Sequence, residues 1–288
     1  MLSYRHGFHA GNFADVFKHV VLTMLLQALA RKDKPYVYID THAGAGRYDL
    51  HSEAARKHRE FRSGIARVWG EREAPAAVAA YLEAVAALNG GPARMADPGA
   101  VPRWYPGSPR IARHLLRRGD RMVLGELHSS EAPLLQREFA RDRSVQVVRG
   151  DGYHLLKSHL PPVERRGLVL IDPSYERREE IDHIVAAMRE GLQRWATGTY
   201  AIWYPLMPKV PAAALHRRIV ATGASKLLCA ELGVLPDDSP LGMNGAGMIV
   251  VNPPFRLDAE LQQLLPWLHR RLAVDRQGRT GLRWLAPE

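Results

Sequence analysis

Continuous apolar runs and amphipathic stretches alternate along most of this chain, the pattern of buried strands interleaved with helices. Residues 14–31 predict a first helix. The β-branched and aromatic run Pro35–Asp40 predicts a strand that passes directly into the glycine turn Thr41–Gly46. Further strands are expected at Arg121–Leu127, Val145–Val148, Leu168–Ile171, Thr199–Tyr204, Lys226–Val234 and Gly247–Val251. Helices are expected near Pro133–Ala140, Gly152–His159, Ile181–Trp195 and Pro211–Thr222. Seven strands with such helices predict an α/β fold, a doubly wound Rossmann-like sheet with its last strand antiparallel. Ligands of such sheets sit outside the carboxyl ends of the parallel strands.

One stretch breaks the alternation. From about His51 to Arg103 the chain is Ala-rich and helical, notably Ala76–Leu88, then irregular from Asn89-Gly-Gly-Pro92 onward. This predicts a small helical subdomain, residues 51–103, inserted into a main domain of residues 1–50 and 104–288. The main domain resumes at Pro106-Gly-Ser108-Pro109, where Ser108 is expected to N-cap a helix that begins at Pro109.

With 46% hydrophobic and 24% charged residues over 288 positions, the chain can bury a core without staples, which excludes a disordered chain. One cysteine, Cys229, excludes a disulfide framework and Cys-rich zinc sites, and suits a reducing cytoplasm. His6 and His9 have a ligand-like gap but no acid or cysteine close by in sequence, so no metal is expected. The longest apolar stretch, Val20–Ala30, is broken by Thr23 and Gln27 and is too short to span a bilayer, so no membrane segment is expected. Lys and Arg outnumber Asp and Glu by 40 to 30, a net charge of +10 that fits a polyanionic partner, because neutralising phosphates releases counterions. Many of these cations fall in pairs: Arg31-Lys32, Arg56-Lys57, Arg117-Arg118, Arg165-Arg166, Arg177-Arg178, Arg217-Arg218 and Arg270-Arg271.

The candidate chemistry sits at the ends of the predicted strands. Gly44 and Gly46 permit close backbone approach to a ligand directly after the first strand. A nicotinamide site calls for a third glycine where this chain has Asp49, and Asp40-Thr-His42-Ala-Gly44-Ala-Gly46 looks instead like the first motif of class I methyltransferases. Glu126 ends the second strand, where a carboxylate can accept both hydroxyls of a ribose. Asp151-Gly152 ends the third, where the acid can accept the adenine amino group of a cofactor. Singly these are a tight turn, a solvated strand-end acid and an Asp-Gly turn. Together they stand in the order a methyl-donor site requires.

The fourth strand runs into Asp172-Pro173-Ser174-Tyr175, which resembles the Asp-Pro-Pro-Tyr motif of amino-group methyltransferases. An adenine N6 lone pair is delocalised into the ring and is a poor nucleophile. The Asp172 carboxylate and the Pro173 carbonyl, accepting from its two N–H bonds, would localise that lone pair, and Asp172 would then take a proton. Tyr175 is placed to stack on an extruded base. Ser174 replaces the second proline, which frees φ and adds a donor. A competitor, Asn252-Pro-Pro-Phe255, matches the amide variant of the motif letter for letter, but on an antiparallel last strand it opens on the opposite edge from the cofactor.

The N-terminal segment Tyr4-Arg-His6-Gly-Phe-His9-Ala-Gly-Asn12-Phe-Ala-Asp15-Val-Phe-Lys18-His19 closely resembles the bacterial 23S ribosomal RNA methyltransferase J family. So do Asp40–Tyr48, Tyr105–Pro109, Glu126-Leu-His128, Trp203-Tyr-Pro205, Asn252-Pro-Pro254 and Leu265–His269. The resemblance implies a class I fold with a small helical insertion, S-adenosylmethionine as methyl donor with S-adenosylhomocysteine as product, and no metal. It implies N6-methylation of one adenine of 23S ribosomal RNA, adenine-2030, in RNA that is free or early in assembly, with no obligate protein partner. It further places cofactor contacts on His19, His42, Ser108, Glu126, Asp151, Gly152 and Asp172, makes Asp172 the proton acceptor, and sets Tyr4 near the RNA. Three rivals stay open: an adenine-N6 methyltransferase acting on DNA, a catalytically silent RNA-binding assembly factor consistent with Ser174, and a nicotinamide oxidoreductase disfavoured by Asp49.

Overall fold

The computed structural model describes residues 4–96, 100–237, 239–240 and 242–287. Helix α1 (Phe13–Ala30) begins at Asn12, whose side chain accepts the Asp15 N–H at 2.9 Å. It leads into strand β1 (Val37–Asp40), and a two-stranded ladder of β2 (Arg47–Asp49) and β3 (Trp104–Pro106) follows. Between those two strands lie α2 (Glu53–His58), α3 (Ile65–Val68) and α4 (Ala76–Leu88). Then come α5 (Ser108–Leu115), β4 (Arg121–Glu126), α6 (Glu131–Glu138), β5 (Val145–Arg149), α7 (Gly152–His159), β6 (Gly167–Ile171) and α8 (Glu180–Arg194). The chain closes with β7 (Thr199–Leu206), α9 (Ala212–Val220), β8 (Leu227–Gly233), β9 (Gly245–Val251), α10 (Leu257–Leu272) and β10 (Thr280–Ala286).

The main sheet runs β10-β8-β9-β7-β6-β1-β4-β5. β1 pairs in parallel with both β4 and β6, so the strand order reverses around it, and β9 runs antiparallel between β7 and β8. All seven expected strands are present. An eighth, β10, pairs antiparallel with β8 at the edge. Along the central strands successive side chains alternate between two cores, as a period of two demands. Tyr38, Leu168 and Leu170 face the layer of α1, α4, α5 and α10. Ile39, Val169 and Ile171 face α7, α8 and α9. Because both faces are covered, these strands read in the sequence as unbroken apolar runs.

With 18 residues and a mean hydropathy of 1.4, α1 is long and apolar enough to cross a bilayer, contrary to the length expected from Val20–Ala30 alone, yet 72% of it is buried inside the fold. It packs on α4, α5 and α10 and crosses the sheet at β6, β7 and β9. Ser108 is not the cap of α5: Gly107 is, and Ser108 opens the helix with its hydroxyl on Asp40.

The Asn252 motif lies after antiparallel β9, at the edge where β7 begins. There Asn252 has φ +50° and its side-chain amide donates to the carbonyls of Ala196 and Gly198, both at 2.8 Å. It braces a loop. Asn252→Ala is expected to lower the unfolding free energy by about 1–2 kcal/mol in urea titrations, the usual worth of two such bonds.

Candidate active site

The site is assembled at the carboxyl ends of β1, β4 and β6, where the strand order reverses. Asp40 ends β1, fully buried. One of its oxygens accepts from Tyr38 Oη (2.6 Å) and Ser108 Oγ (2.7 Å), and the other from the His42 amide (3.1 Å). Burial raises its pKa to about 6, against these hydrogen bonds. The loop then turns through Gly44 at φ +61° and Gly46 at φ +84°. A Cβ on Gly44 would fall 2.1 Å from the Tyr48 hydroxyl, and one on Gly46 would press at 3.3 Å on Leu135 of α6 and on Phe139, which caps its carboxyl end. After the loop the chain enters β2 rather than a helix, so position 49 faces no close helix–strand contact that would demand a third glycine. The helix that dinucleotide folds place there is α5, which starts at the site after the excursion, with the Gly107 amide bonded to Gly46 O at 2.9 Å.

Glu126, at the end of β4, is 8% exposed, and its two oxygens accept the amides of Gly44 and His128, each at 2.7 Å. Burial raises its pKa. The carboxylate therefore locks the glycine loop and keeps further lone pairs for a ligand. His42 also lines the cavity, edge-on to Tyr153 at 5.1 Å, and burial lowers its pKa to about 4, so it is neutral at physiological pH.

Asp172 ends β6, and its Oδ2 receives the Lys18 ammonium at 2.6 Å. Lys18 also contacts Asp15 at 2.9 Å, and Asp15 contacts His6 at 2.8 Å. Tyr4 Oη sits 2.9 Å from His6 Nδ1, completing a chain from the N-terminal arm to Asp172. Burial opposes the charge on Lys18, but Asp15 and Asp172 hold its pKa above that of an ordinary lysine. Beside it on α1, His19 is 1% exposed. Its Nδ1 meets Tyr105 Oη at 2.8 Å, and Tyr81 Oη donates to Tyr105 Oη at 3.0 Å. The Tyr105 proton is thereby directed to Nδ1, leaving His19 Nε2 as a buried N–H with no partner among the described residues. Burial lowers the pKa of His19 well below that of a free imidazole, so the ring is neutral.

Of these groups, His6, Asp15, Lys18, His19, His42, Glu126 and Asp172 line a cavity of about 600 Å³, a volume typical of small-molecule sites. Of the residues expected from sequence, Tyr4, His19, His42, Gly44, Ser108, Glu126, Asp172 and Pro173 line it, and Gly46, Asp151, Gly152 and Tyr175 do not. Asp151 caps α7 by accepting the Tyr153 amide at 2.8 Å. Gly152 is needed for packing, since a Cβ there would fall 1.8 Å from Thr41 O. Tyr175, at φ +54°, turns its ring edge-on to Trp203 and donates its hydroxyl to Trp203 O at 2.7 Å, so the expected stacking face is not presented to the cavity. The aromatic beside the ion pair is Trp203, with Lys18 Nζ 5.8 Å from its ring centre. Asp15, Lys18 and His6 were missed as site residues. Their signal is three ionisable side chains in and just before an otherwise apolar, buried helix, where charges persist only when paired.

A glycine loop at the strand-order reversal, followed by acids at the ends of successive strands, defines a class I methyltransferase fold. The family described as ribosomal RNA large subunit methyltransferase D, RlmJ, matches residues 33–286. Over the full length of both chains, the sequence is 47% identical to ribosomal RNA large subunit methyltransferase J of Escherichia coli (strain K12) and 44% identical to that of Haemophilus influenzae (strain ATCC 51907 / DSM 11121 / KW20 / Rd). Among solved structures, protein LPL1258 of Legionella pneumophila superposes with a TM-score of 0.83 at 35% identity, covering 96% of this chain and 97% of that one. The chain belongs to this family of ribosomal RNA large subunit methyltransferases.

Asp40 gives the site a measurable pH signature. Its folded pKa, near 6, lies above the unfolded value of about 3.9, so between these the folded state holds more protons and stability falls as pH rises. In Asp40→Asn this penalty is absent. The stability difference, measured by denaturation from pH 4 to pH 7, is expected to move in the variant's favour by on the order of 2–3 kcal/mol.

Proposed function

We propose that this S-adenosylmethionine-dependent ribosomal RNA methyltransferase methylates the N6 amino group of one adenine of 23S ribosomal RNA, in the bacterial cytoplasm, on RNA that is free or early in assembly. The observation that carries this reading is Asp172 held at the cavity wall by a buried lysine, with Pro173 next to it. No obligate protein partner and no metal enter the proposal.

The donor set fits the cofactor. The buried, unpartnered His19 Nε2–H and the amino end of α5 at Gly107 and Ser108 suit a carboxylate tail. Glu126 retains acceptor capacity for ribose hydroxyls, and the bare Gly44 backbone lets a nucleoside approach. His42 would pack against the cofactor, and Asp151, on the α7 cap beside the cavity, would accept its adenine amino group, with Gly46 and Gly152 holding the backbone. When bound, the cofactor supplies an electrophilic methyl group.

On the substrate side, Lys18 uses Oδ2 of Asp172 and fixes the carboxylate in the plane it presents to the cavity. Asp172 Oδ1 and the Pro173 carbonyl accept the two N6–H bonds, localising the lone pair, and Asp172 receives the proton released on methylation. Tyr4 and Trp203 flank the base. Tyr175 stacks on it once its hydroxyl leaves Trp203 O, and Ser174 leaves the motif freer to make that turn. Residues 51–103 act as an inserted subdomain whose Tyr81 orders the cofactor side through Tyr105.

The direct test is transfer of labelled methyl to protein-free 23S rRNA with nucleoside analysis. N6-methyladenosine is expected from the parent chain and a loss of at least about 100-fold from Asp172→Asn. Another modified nucleoside, or retained turnover in the variant, would overturn the assignment. Tyr105→Phe separates the cofactor role from the catalytic one. Without the hydroxyl that directs the His19 proton, cofactor Kd measured by calorimetry is expected to rise about tenfold, the worth of one charge-assisted hydrogen bond. An unchanged Kd would remove His19 from the cofactor site.

A further inference from the structure

The cations of this chain divide into two groups. In four of the seven sequence pairs one member is neutralised within the fold, Arg31 by Glu260, Arg117 by Asp120, Arg218 by Asp182 and Arg271 by Glu71; in a fifth, Arg166 donates to the carbonyls of Lys34 and Leu29, and the exposed Arg177 and Arg178 stand between Glu176 and Glu179 in the sequence. Arg56 and Lys57 are different. With Arg59 and Arg62 they form an exposed run over α2 and the turn after it, and none of the four meets a carboxylate among the described residues. The acid within the run, Glu60, is turned inward to His9 Nδ1 (2.9 Å) and Asn12 Nδ2 (3.0 Å). Lys57 lies over the Phe8 ring at 5.9 Å, which anchors the run to the N-terminal arm.

This run is interleaved with residues of the cavity wall. Glu60 and Ser63 line the cavity itself, on the wall shared with Tyr4 and His9, whose rings stack at 5.4 Å. That wall is connected through His6, Asp15 and Lys18 to Asp172, so it flanks the substrate end rather than the Glu126 end. A nucleotide whose base reaches Asp172 along this wall would lay its neighbours' phosphates beside the run. Four unneutralised cations cost self-repulsion in the free protein, and a polyanion laid across them removes that cost while releasing its own counterions.

We propose that Arg56, Lys57, Arg59 and Arg62 form a ridge that binds the sugar-phosphate backbone of the substrate RNA beside the flipped adenine, giving the inserted segment a direct role in substrate binding. The proposal rests on the RNA reading above. It predicts a sequence-independent, salt-dependent contribution, since phosphate contacts position a strand without reading it.

The test measures binding of an unmodified 23S rRNA transcript against salt concentration, alongside methyl transfer, for the full chain and for R56A/R59A/R62A. Lys57 is left in place for its packing on Phe8. The triple variant is expected to bind RNA at least about tenfold more weakly at physiological salt, with the slope of log K against log salt shallower by about 2, near 0.7 per lost single-strand contact. Cofactor affinity and turnover at saturating RNA should stay at parent values. The charge-matched control R137A/R141A/R143A lies on the last turn of α6 and the loop entering β5, at the sheet edge away from the cavity. An unchanged slope in the ridge variant, or an equal loss in the control, would overturn the proposal. Should the triple variant lose cofactor binding, the single reversal R62E decides by the same slope. A parent chain that transfers no methyl to RNA would sink the functional reading instead, whereas normal parent transfer with an unaffected ridge variant would sink the ridge alone.

Discussion

A buried lysine ties this molecule together. Lys18 sits on the first helix, 5% exposed, between Asp15 of the same helix and Asp172 at the end of a strand far along the chain. A charge so placed is tolerable only with both carboxylates present, because removing one partner of a buried pair leaves the others uncompensated at a cost of about 3–5 kcal/mol. The arrangement therefore requires α1 to dock on the sheet in one register. It also draws in the N-terminal arm, since Asp15 accepts from the Gly11 amide and from His6. The placement of Asp172 at the cavity and the seating of the first helix are one constraint.

The opposite half of the cavity obeys a different logic, that of backbone groups and neutral donors. Glu126 holds the glycine loop by two amides, Asp40 holds the start of α5 through Ser108, and a tyrosine pair sets which nitrogen of His19 carries its proton. None of these contacts is an ion pair. On the proposed reading, a sulfonium nucleoside would meet a polar, largely preformed surface, while the charged groups are confined to the Asp172 end.

Periodicity revealed much of this architecture, because parallel strands buried on both faces leave unbroken apolar runs such as Leu168–Ile171. It did not reveal β10, whose exposed Arg283 and Trp284 break the pattern on an edge, or the short ladder of β2 and β3. Site residues at strand ends, Glu126 and Asp172, could be read from their position, and so could the structural character of Asn252. Lys18 could not, because its role depends on a partner 154 positions away. Tyr175 was legible as a motif but not in its orientation, which Trp203 decides through one backbone carbonyl. The sequence around Ser108 allows a cap, but the tertiary contact with Asp40 takes its hydroxyl and Gly107 stands at the cap position.

The helical excursion between β2 and β3 leaves and re-enters through a narrow neck, where the Leu50 amide meets Arg103 O at 2.8 Å and the Gly107 amide meets Gly46 O. Closing a loop costs conformational entropy that grows only logarithmically with its length, about 0.6 kcal/mol for each doubling. The neck, rather than the excursion, therefore sets the geometry of the glycine loop against α5. Only the solvent-facing surface of the segment beyond it is uncoupled from the cavity, because Glu60 and Ser63 form part of the cavity wall and Tyr81 holds Tyr105 against His19.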